Sequence, residues 1–145
     1  MLYLLRHGDA EGDSGGDAAR RLTPKGERQA RVAGRTLAMR EAKIAACLSS
    51  PKARAMETAR LACEPLGIVP EGATELRGGE FDAAALAAGR GDVLLVGHEP
   101  DLSSTVARLT GAKVKMRKGG LAIVDGTTLI ALLRPADLVA IAGRP

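Results

Sequence analysis

Aromatic residues are almost missing from this 145-residue sequence: it has no Trp, and Tyr3 and Phe81 stand alone at 1% of the chain. A core must therefore be assembled from Leu, Val, Ile and Ala, and few rings are left to stack bases, which argues against single-strand nucleic-acid binding. Cysteine is scarce too, with only Cys47 and Cys63 and no Cys-x-x-Cys spacing. Two reduced, buried thiols are expected rather than a disulfide or a metal site. No apolar run approaches the roughly 18 residues of a membrane span, and the sequence opens without the basic, apolar and small-residue segments of a secretory leader. A cytoplasmic chain without membrane association is expected. Nor is one charge sign in great excess. The 21 Lys and Arg against 17 Asp and Glu give a net charge of +4, interleaved, with no continuous polycation stretch. That balance fits an anionic substrate better than a nucleic acid.

At this length one domain, residues 1–145, is expected, with a single core. Met1-Leu2-Tyr3-Leu4-Leu5 is a continuous apolar run closed by Arg6-His7-Gly8. It reads as a strand buried on both faces of a parallel sheet. Residues 9–22 are polar and glycine-rich and predict a mobile loop. Thr23-Pro24 predicts a helix start, with Ala30, Ala33 and Leu37 inward and Arg28, Arg31 and Arg35 outward. A short strand, Ile44 to Leu48, leads to Ser49-Ser50-Pro51, read as a Ser cap and an N1 Pro, with Ala55, Ala59, Ala62 and Leu66 as the inner stripe of a helix fraying at Pro65. A weaker strand is expected over 68–76, a short helix over 81–88, a strand over 92–97, a helix from Asp101 to Gly111, and a hairpin joined at Asp125-Gly126. The alternation predicts an α/β three-layer sandwich, a mostly parallel sheet with helices on both faces and an antiparallel C-terminal edge.

Only two histidines are present, and both His7 and His98 follow a predicted parallel strand at the same end of the sheet. Ligands bind at that end of open α/β sheets. Arg54 falls in the first turn of a predicted helix, where a cation opposes the helix dipole unless an anion lies between them. Arg6, His7, Arg54 and His98 can then converge on one tetrahedral anion, with guanidinium forks as donors to its oxygens. Phosphoryl transfer needs mostly positioning and charge stabilisation, which these groups supply without a metal. A neutral imidazole nitrogen in line with phosphorus is a competent nucleophile.

Four blocks carry a resemblance over almost the whole chain: Leu5-Arg6-His7-Gly8-Asp9-Ala10, Arg20-Arg21-Leu22-Thr23-Pro24-Lys25-Gly26, Ser49-Ser50-Pro51-x-x-Arg54-Ala55-x-x-Thr58-Ala59 and Gly97-His98-Glu99-Pro100. In order and spacing they resemble the histidine phosphatase superfamily, in particular its compact phosphohistidine phosphatase (SixA-type) branch. The resemblance implies a phosphoglycerate mutase-like fold, His7 as the phosphorylated nucleophile, Arg6, Arg54 and His98 as the phosphate pocket, and no cofactor. Glu75 is similar in place to the acid of the mutase-like branch, although the longer motif around it is missing. Glu99 resembles the acid-phosphatase arrangement, and Asp9 is a third candidate acid. Arg20 is a candidate substrate contact from the loop.

The expected function is a metal-independent phosphatase with a covalent phosphohistidine intermediate on His7, acting on protein phosphohistidine and binding phosphate and similar oxyanions. Two alternatives stand beside it: a small-molecule phosphomonoesterase of the same superfamily, and a non-catalytic phosphate- or phosphoprotein-binding module. Cleavage of RNA by two histidines would need stacking aromatics that the composition hardly offers.

Overall fold

The computed structural model describes residues 1–12 and 15–143. Six strands form one sheet in the order β3-β2-β4-β1-β5-β6. They are β1 (Leu2–Arg6), β2 (Ile44–Ser49), β3 (Glu71–Gly72), β4 (Asp92–Gly97), β5 (Leu121–Asp125) and β6 (Thr128–Leu133). β1 pairs parallel with β4, and β2 parallel with both β4 and β3, while β5 runs antiparallel to β1 and to β6. The sheet is thus mostly parallel with an antiparallel C-terminal side, as the sequence predicts.

Five helices cover it: α1 (Pro24–Met39), α2 (Ala53–Cys63), α3 (Ala83–Ala87), α4 (Asp101–Thr110) and α5 (Pro135–Ala142). Because side chains alternate across a strand, Tyr3 and Leu5 of β1 and Leu94 and Val96 of β4 face the layer holding α1, α2 and α5. Leu4 of β1 and Val93 and Leu95 of β4 face the other layer, where Leu102 and Val106 of α4 and Ala83 of α3 meet them. Both faces of the two central strands are therefore buried. Such strands read as continuous apolar runs rather than as alternating ones, which is the pattern of Leu2 to Leu5 and Val93 to Val96.

Several local expectations are refined. Thr23 caps α1, its Oγ1 accepting from the Gly26 amide at 3.1 Å, with Pro24 at N1. By contrast α2 begins at Ala53 with Lys52 as its N-cap, so neither Ser50 nor Pro51 has the capping place expected of it. α2 ends at Cys63 and a 3-10 turn containing Pro65 follows, Glu64–Leu66. The strand expected over 68–76 shrinks to Glu71–Gly72, both exposed, followed by a 3-10 turn, Thr74–Leu76. With no side chain to bury, this edge gains little from extension. The 9–22 loop is tied at its ends by an Ala10 to Leu22 bridge and contains a 3-10 turn, Asp17–Ala19. Asp13 and Ser14 of that expected loop lie outside the described residues. The helix α5 has no counterpart in the sequence expectation.

Two glycine contacts set how closely the layers approach. A Cβ on Gly8 would lie 2.6 Å from the Gly26 carbonyl oxygen, so the end of β1 meets the first turn of α1 backbone to backbone. At Gly34 a Cβ would overlap the carbonyl oxygen of Ala62, because α1 and α2 pack there without a side chain between them. Backbone cannot move aside as a side-chain tip can. Gly34→Ala should therefore cost about 1–3 kcal/mol, despite the gain in helix propensity, and is checked by urea unfolding followed by circular dichroism.

Candidate active site

The carboxyl ends of β1, β2 and β4 carry one cluster of polar side chains. Gly97 pairs with Arg6, and the chain beyond them delivers His7 and His98 side by side, ring centroids 5.2 Å apart and planes tilted by 57°. Backbone bonds fix that end: the His7 amide donates to the Gly97 carbonyl at 3.1 Å, and the Gly119 amide to the His7 carbonyl at 3.0 Å. The Gly8 amide donates to Thr58 Oγ1 at 3.1 Å, and that hydroxyl donates to the Arg54 carbonyl at 2.7 Å. Thr58 thus ties the loop after His7 to the turn of α2 that carries Arg54.

His7 Nδ1 lies 2.7 Å from the Gly8 carbonyl oxygen, a partner that only accepts. The contact assigns the proton to Nδ1 and leaves the lone pair on Nε2. Arg54 Nε donates toward that Nε2 at 3.4 Å. His98 Nε2 lies 2.8 Å from Ser50 Oγ, which also accepts from the Lys52 amide at 3.2 Å. Arg6 is steadied from behind, its Nη1 donating to the Met116 carbonyl at 2.9 Å.

A carboxylate from the loop faces this cluster. Asp17 accepts from Lys52 Nζ at 2.7 Å, lies 3.3 Å from Arg54 Nη2, and is approached by Arg20 Nη1 at 3.4 Å. Arg54 Nη1 also donates to the Asp17 carbonyl at 2.7 Å. The loop therefore lays an anion against the cations that an incoming phosphoryl group would need.

A strand-end imidazole pair framed by arginines on such a sheet has known counterparts. The family model described as Histidine phosphatase superfamily (branch 1) matches residues 2–83, more than half of the chain. The chain belongs to the histidine phosphatase superfamily. Among solved structures, the protein histidine phosphatase SixA complexed with tungstate is 26% identical with a TM-score of 0.81, over 94% of this chain and 98% of that one. The Agrobacterium tumefaciens protein assigned as phosphohistidine phosphatase SixA is 27% identical with a TM-score of 0.78, over 92% and 97% of the two chains. One from Nakamurella multipartitia with the same assignment is 29% identical with a TM-score of 0.71, over 99% and 89%. No curated protein matches the sequence.

Within this histidine phosphatase the expected residues divide. Arg6, His7, Arg54 and His98 do come together. Arg20 reaches the site only indirectly, since its Nε donates to the Glu11 carbonyl at 2.8 Å and its Nη1 to Asp17. Glu75 lies exposed on the 3-10 turn after β3, with Thr74 Oγ1 donating to it at 3.3 Å and no hydrogen bond or ion pair to the four. Glu99 is spent on backbone, accepting from the Ser103 amide at 2.8 Å and the Met116 amide at 3.2 Å. Asp9 accepts from Thr23 Oγ1 at 2.8 Å and pairs with Lys118 at 3.5 Å. Lys52, Ser50, Thr58 and Asp17 had no part in the site in the sequence reading, where Ser50 stood only as a helix cap. The first three stand in the block around Arg54, where spacing could have raised them. Among the described residues no group of three or more His, Cys, Asp or Glu is placed to hold a metal ion.

The histidine phosphatase site is positive yet keeps both imidazoles neutral. Burial pushes His7 down to about 4; the Gly8 carbonyl opposes it, and Arg54, Arg6 and Lys118 add lesser lowering effects. Burial, then His7, Arg54 and Lys52, push His98 down to about 3. The Lys52 hydrogen bond, followed by Arg54, holds the Asp17 carboxyl well below the usual carboxylate range. Asp17 is thus ionised at neutral pH and is no proton donor.

Two outcomes follow from these charges. Between about pH 6.5 and about 4 the unfolded chain binds more protons at His7 and His98 than the folded chain does. Stability should therefore fall as pH is lowered through that window. Urea midpoints measured at pH 7 and at pH 5 should separate more for wild type than for His7→Gln/His98→Gln. Asp17→Asn, in turn, removes the internal anion, and tungstate should bind about two- to five-fold more tightly, read by calorimetric titration.

Proposed function

We propose that this chain hydrolyses phosphate from histidine side chains of proteins through a covalent intermediate on His7. The observation that carries the reading is the His7 ring itself: Nδ1 is held by the Gly8 carbonyl, so the lone pair lies on Nε2, where Arg54 Nε donates to it at 3.4 Å. That is the tautomer an imidazole needs to attack phosphorus from Nε2. The phosphoryl oxygens lie against Arg6, Arg54, Lys52 and His98, and Asp17 yields its place on Arg54 and Lys52 to them. As the Nε2 to phosphorus bond forms, the bond from phosphorus to the substrate nitrogen breaks, and the departing imidazole takes up one proton. Water then attacks the phosphorus, the bond to Nε2 breaks, and inorganic phosphate leaves with His7 restored.

The substrate assignment rests on the carboxyls of the described residues. Glu99 and Asp9 are committed to other partners, Glu75 has no hydrogen bond to the cluster and Asp17 is ionised, so none of these four is held in the cluster as the proton donor that a poor leaving group such as an alkoxide requires. An imidazole leaving group is far less demanding, because the phosphorylated ring can be protonated before it departs. The SixA proteins named above support the same reading by their likeness. The positive charge that stabilises the transferring group comes from Arg and Lys, so the reaction is proposed to proceed without a metal or other cofactor. We take the 145 residues as one functional unit. Its free, buried Cys47 and Cys63 fit the reducing cytoplasm.

The test compares kcat/KM on a histidine-phosphorylated carrier protein with that on p-nitrophenyl phosphate and sugar phosphates, before and after dialysis against EDTA. The carrier protein should be preferred and EDTA should change nothing. Rapid acid-free quench and intact-mass measurement should find one added phosphate on wild type and none on His7→Ala, whose turnover should fall by at least about 10³-fold. A fully active His7→Ala, or a clear advantage for a sugar phosphate, would overturn the proposal.

A further inference from the structure

Beside the phosphate pocket a groove of about 580 Å³ runs between the start of α1, the segment before β5 and the start of α5. Lys25, Lys115, Arg117, Lys118 and Arg134 line it, and all five are exposed. These cations are scattered along the sequence, and the fold gathers them. Only two have carboxylate partners: Lys118 lies 3.5 Å from Asp9, and Arg134 lies 3.0 Å from Asp137. Lys25, Lys115 and Arg117 form no direct ion pair among the described residues. Asp9 also lines the groove, within electrostatic reach of Lys25 and Lys118, but one lining carboxylate against several cations leaves a positive field along the groove, which attracts an anionic partner.

The groove and the pocket share a wall. Arg6 lines both, and Met116, between Lys115 and Arg117, points inward and is buried. Its carbonyl accepts from Arg6 Nη1, and its amide donates to Glu99, the residue after His98. Lys115 and Arg117, flanking Met116, are thereby carried on a segment anchored at the catalytic cluster. Anything that places a phosphorylated side chain against His7 brings its neighbouring residues over them.

From this geometry we infer that the groove docks an acidic segment of the phosphorylated protein, next in its chain to the histidine being dephosphorylated. The inference rests on the proposed function and adds to it a rule for choosing among phosphohistidine proteins. A small metabolite is a poorer occupant, because pockets for small molecules are largely apolar and bury most of the ligand, whereas charged, exposed side chains form this surface. A nucleic acid is poorer too. Base stacking needs aromatics, and none lines the groove. Charge complementarity of this kind chiefly speeds encounter and selects partners, so it should show in kcat/KM and in salt dependence.

The experiment uses synthetic peptides of one length, each with a single phosphohistidine flanked on one side by four glutamates or by four glutamines. Both flank positions are made. Wild type should cleave the better glutamate peptide about ten-fold faster in kcat/KM than its glutamine counterpart. The advantage should shrink as salt rises from about 0.05 to about 0.3 M. Lys115→Glu/Arg117→Glu should lose it, and the neutral pair Lys115→Gln/Arg117→Gln should fall between. Both variants should keep kcat/KM on p-nitrophenyl phosphate within about two-fold of wild type, which shows that the pocket is intact. Equal rates on glutamate and glutamine peptides, or an advantage that survives in both variants, would overturn the inference. So would a single-stranded oligonucleotide that inhibits wild type more strongly than the glutamate peptide binds and loses that inhibition in the variants, since the groove would then serve nucleic acid. If no phosphohistidine peptide is cleaved while p-nitrophenyl phosphate is, the proposed function itself has failed. That result differs from loss of the charge preference alone.

Discussion

Arg54 is where the constraints on this molecule meet. Its guanidinium is buried, and each of its three nitrogens is committed: Nε to His7, Nη1 to the Asp17 carbonyl and Nη2 to the Asp17 carboxylate. A buried cation is tolerated only when its hydrogens find partners, so the surroundings of Arg54 must be built to fixed dimensions. Ala55, Ala59 and Ala62 bring α2 close against the sheet, and the glycine contact at Gly34 lets α1 close over it. Thr58, one turn beyond Arg54, then bonds the amide of Gly8 and sets the loop that holds His7. Small residues in the helices and a charged residue in the pocket are two sides of the same requirement.

What the sequence disclosed, it disclosed through local pattern. The continuous apolar runs of Leu2 to Leu5 and Val93 to Val96 announced strands buried on both faces, and each ended in a histidine. The stripe of Ala30, Ala33 and Leu37 announced α1, and Thr23-Pro24 its start. What escaped depends on contacts far apart in the chain. Asp17 sits in a polar, glycine-rich loop and acquires its meaning only from Lys52 and Arg54, which pairing along the chain cannot reveal. Ser50 was expected to cap α2, but its hydroxyl is used by His98 and the Lys52 amide, and the helix starts later. The last helix escaped for another reason. Pro135 to Ala142 is apolar nearly all round, with Asp137 its one charge, so it shows no 3.6-residue stripe. Glu75, expected at the end of a third strand, stands instead on an exposed 3-10 turn, because the strand itself shrinks to two residues.

The carboxylates of the site illustrate how environment divides one chemistry among several uses. Glu99 anchors backbone, Asp9 braces the start of α1, and Asp17 neutralises cations in the absence of a phosphoryl group. Each is fixed as an acceptor by the donors around it. The two imidazoles are treated in the opposite way, since burial among cations keeps them uncharged.

The place of β1 in the sheet bears on how the protein is made. The strand that carries Arg6 and His7 lies between β4 and β5, neither of which exists on the ribosome when residues 2–6 emerge. A nascent chain must hold that apolar stretch unpaired until residue 97 completes one neighbour and residue 125 the other. Local structure can form earlier in α1 and α2, but the central pairing is non-local and so slow. No fragment that stops short of β5 can enclose His7. Activity therefore appears late in synthesis, and a newly made Leu2-Tyr3-Leu4-Leu5 is a segment for chaperones to shield in the meantime.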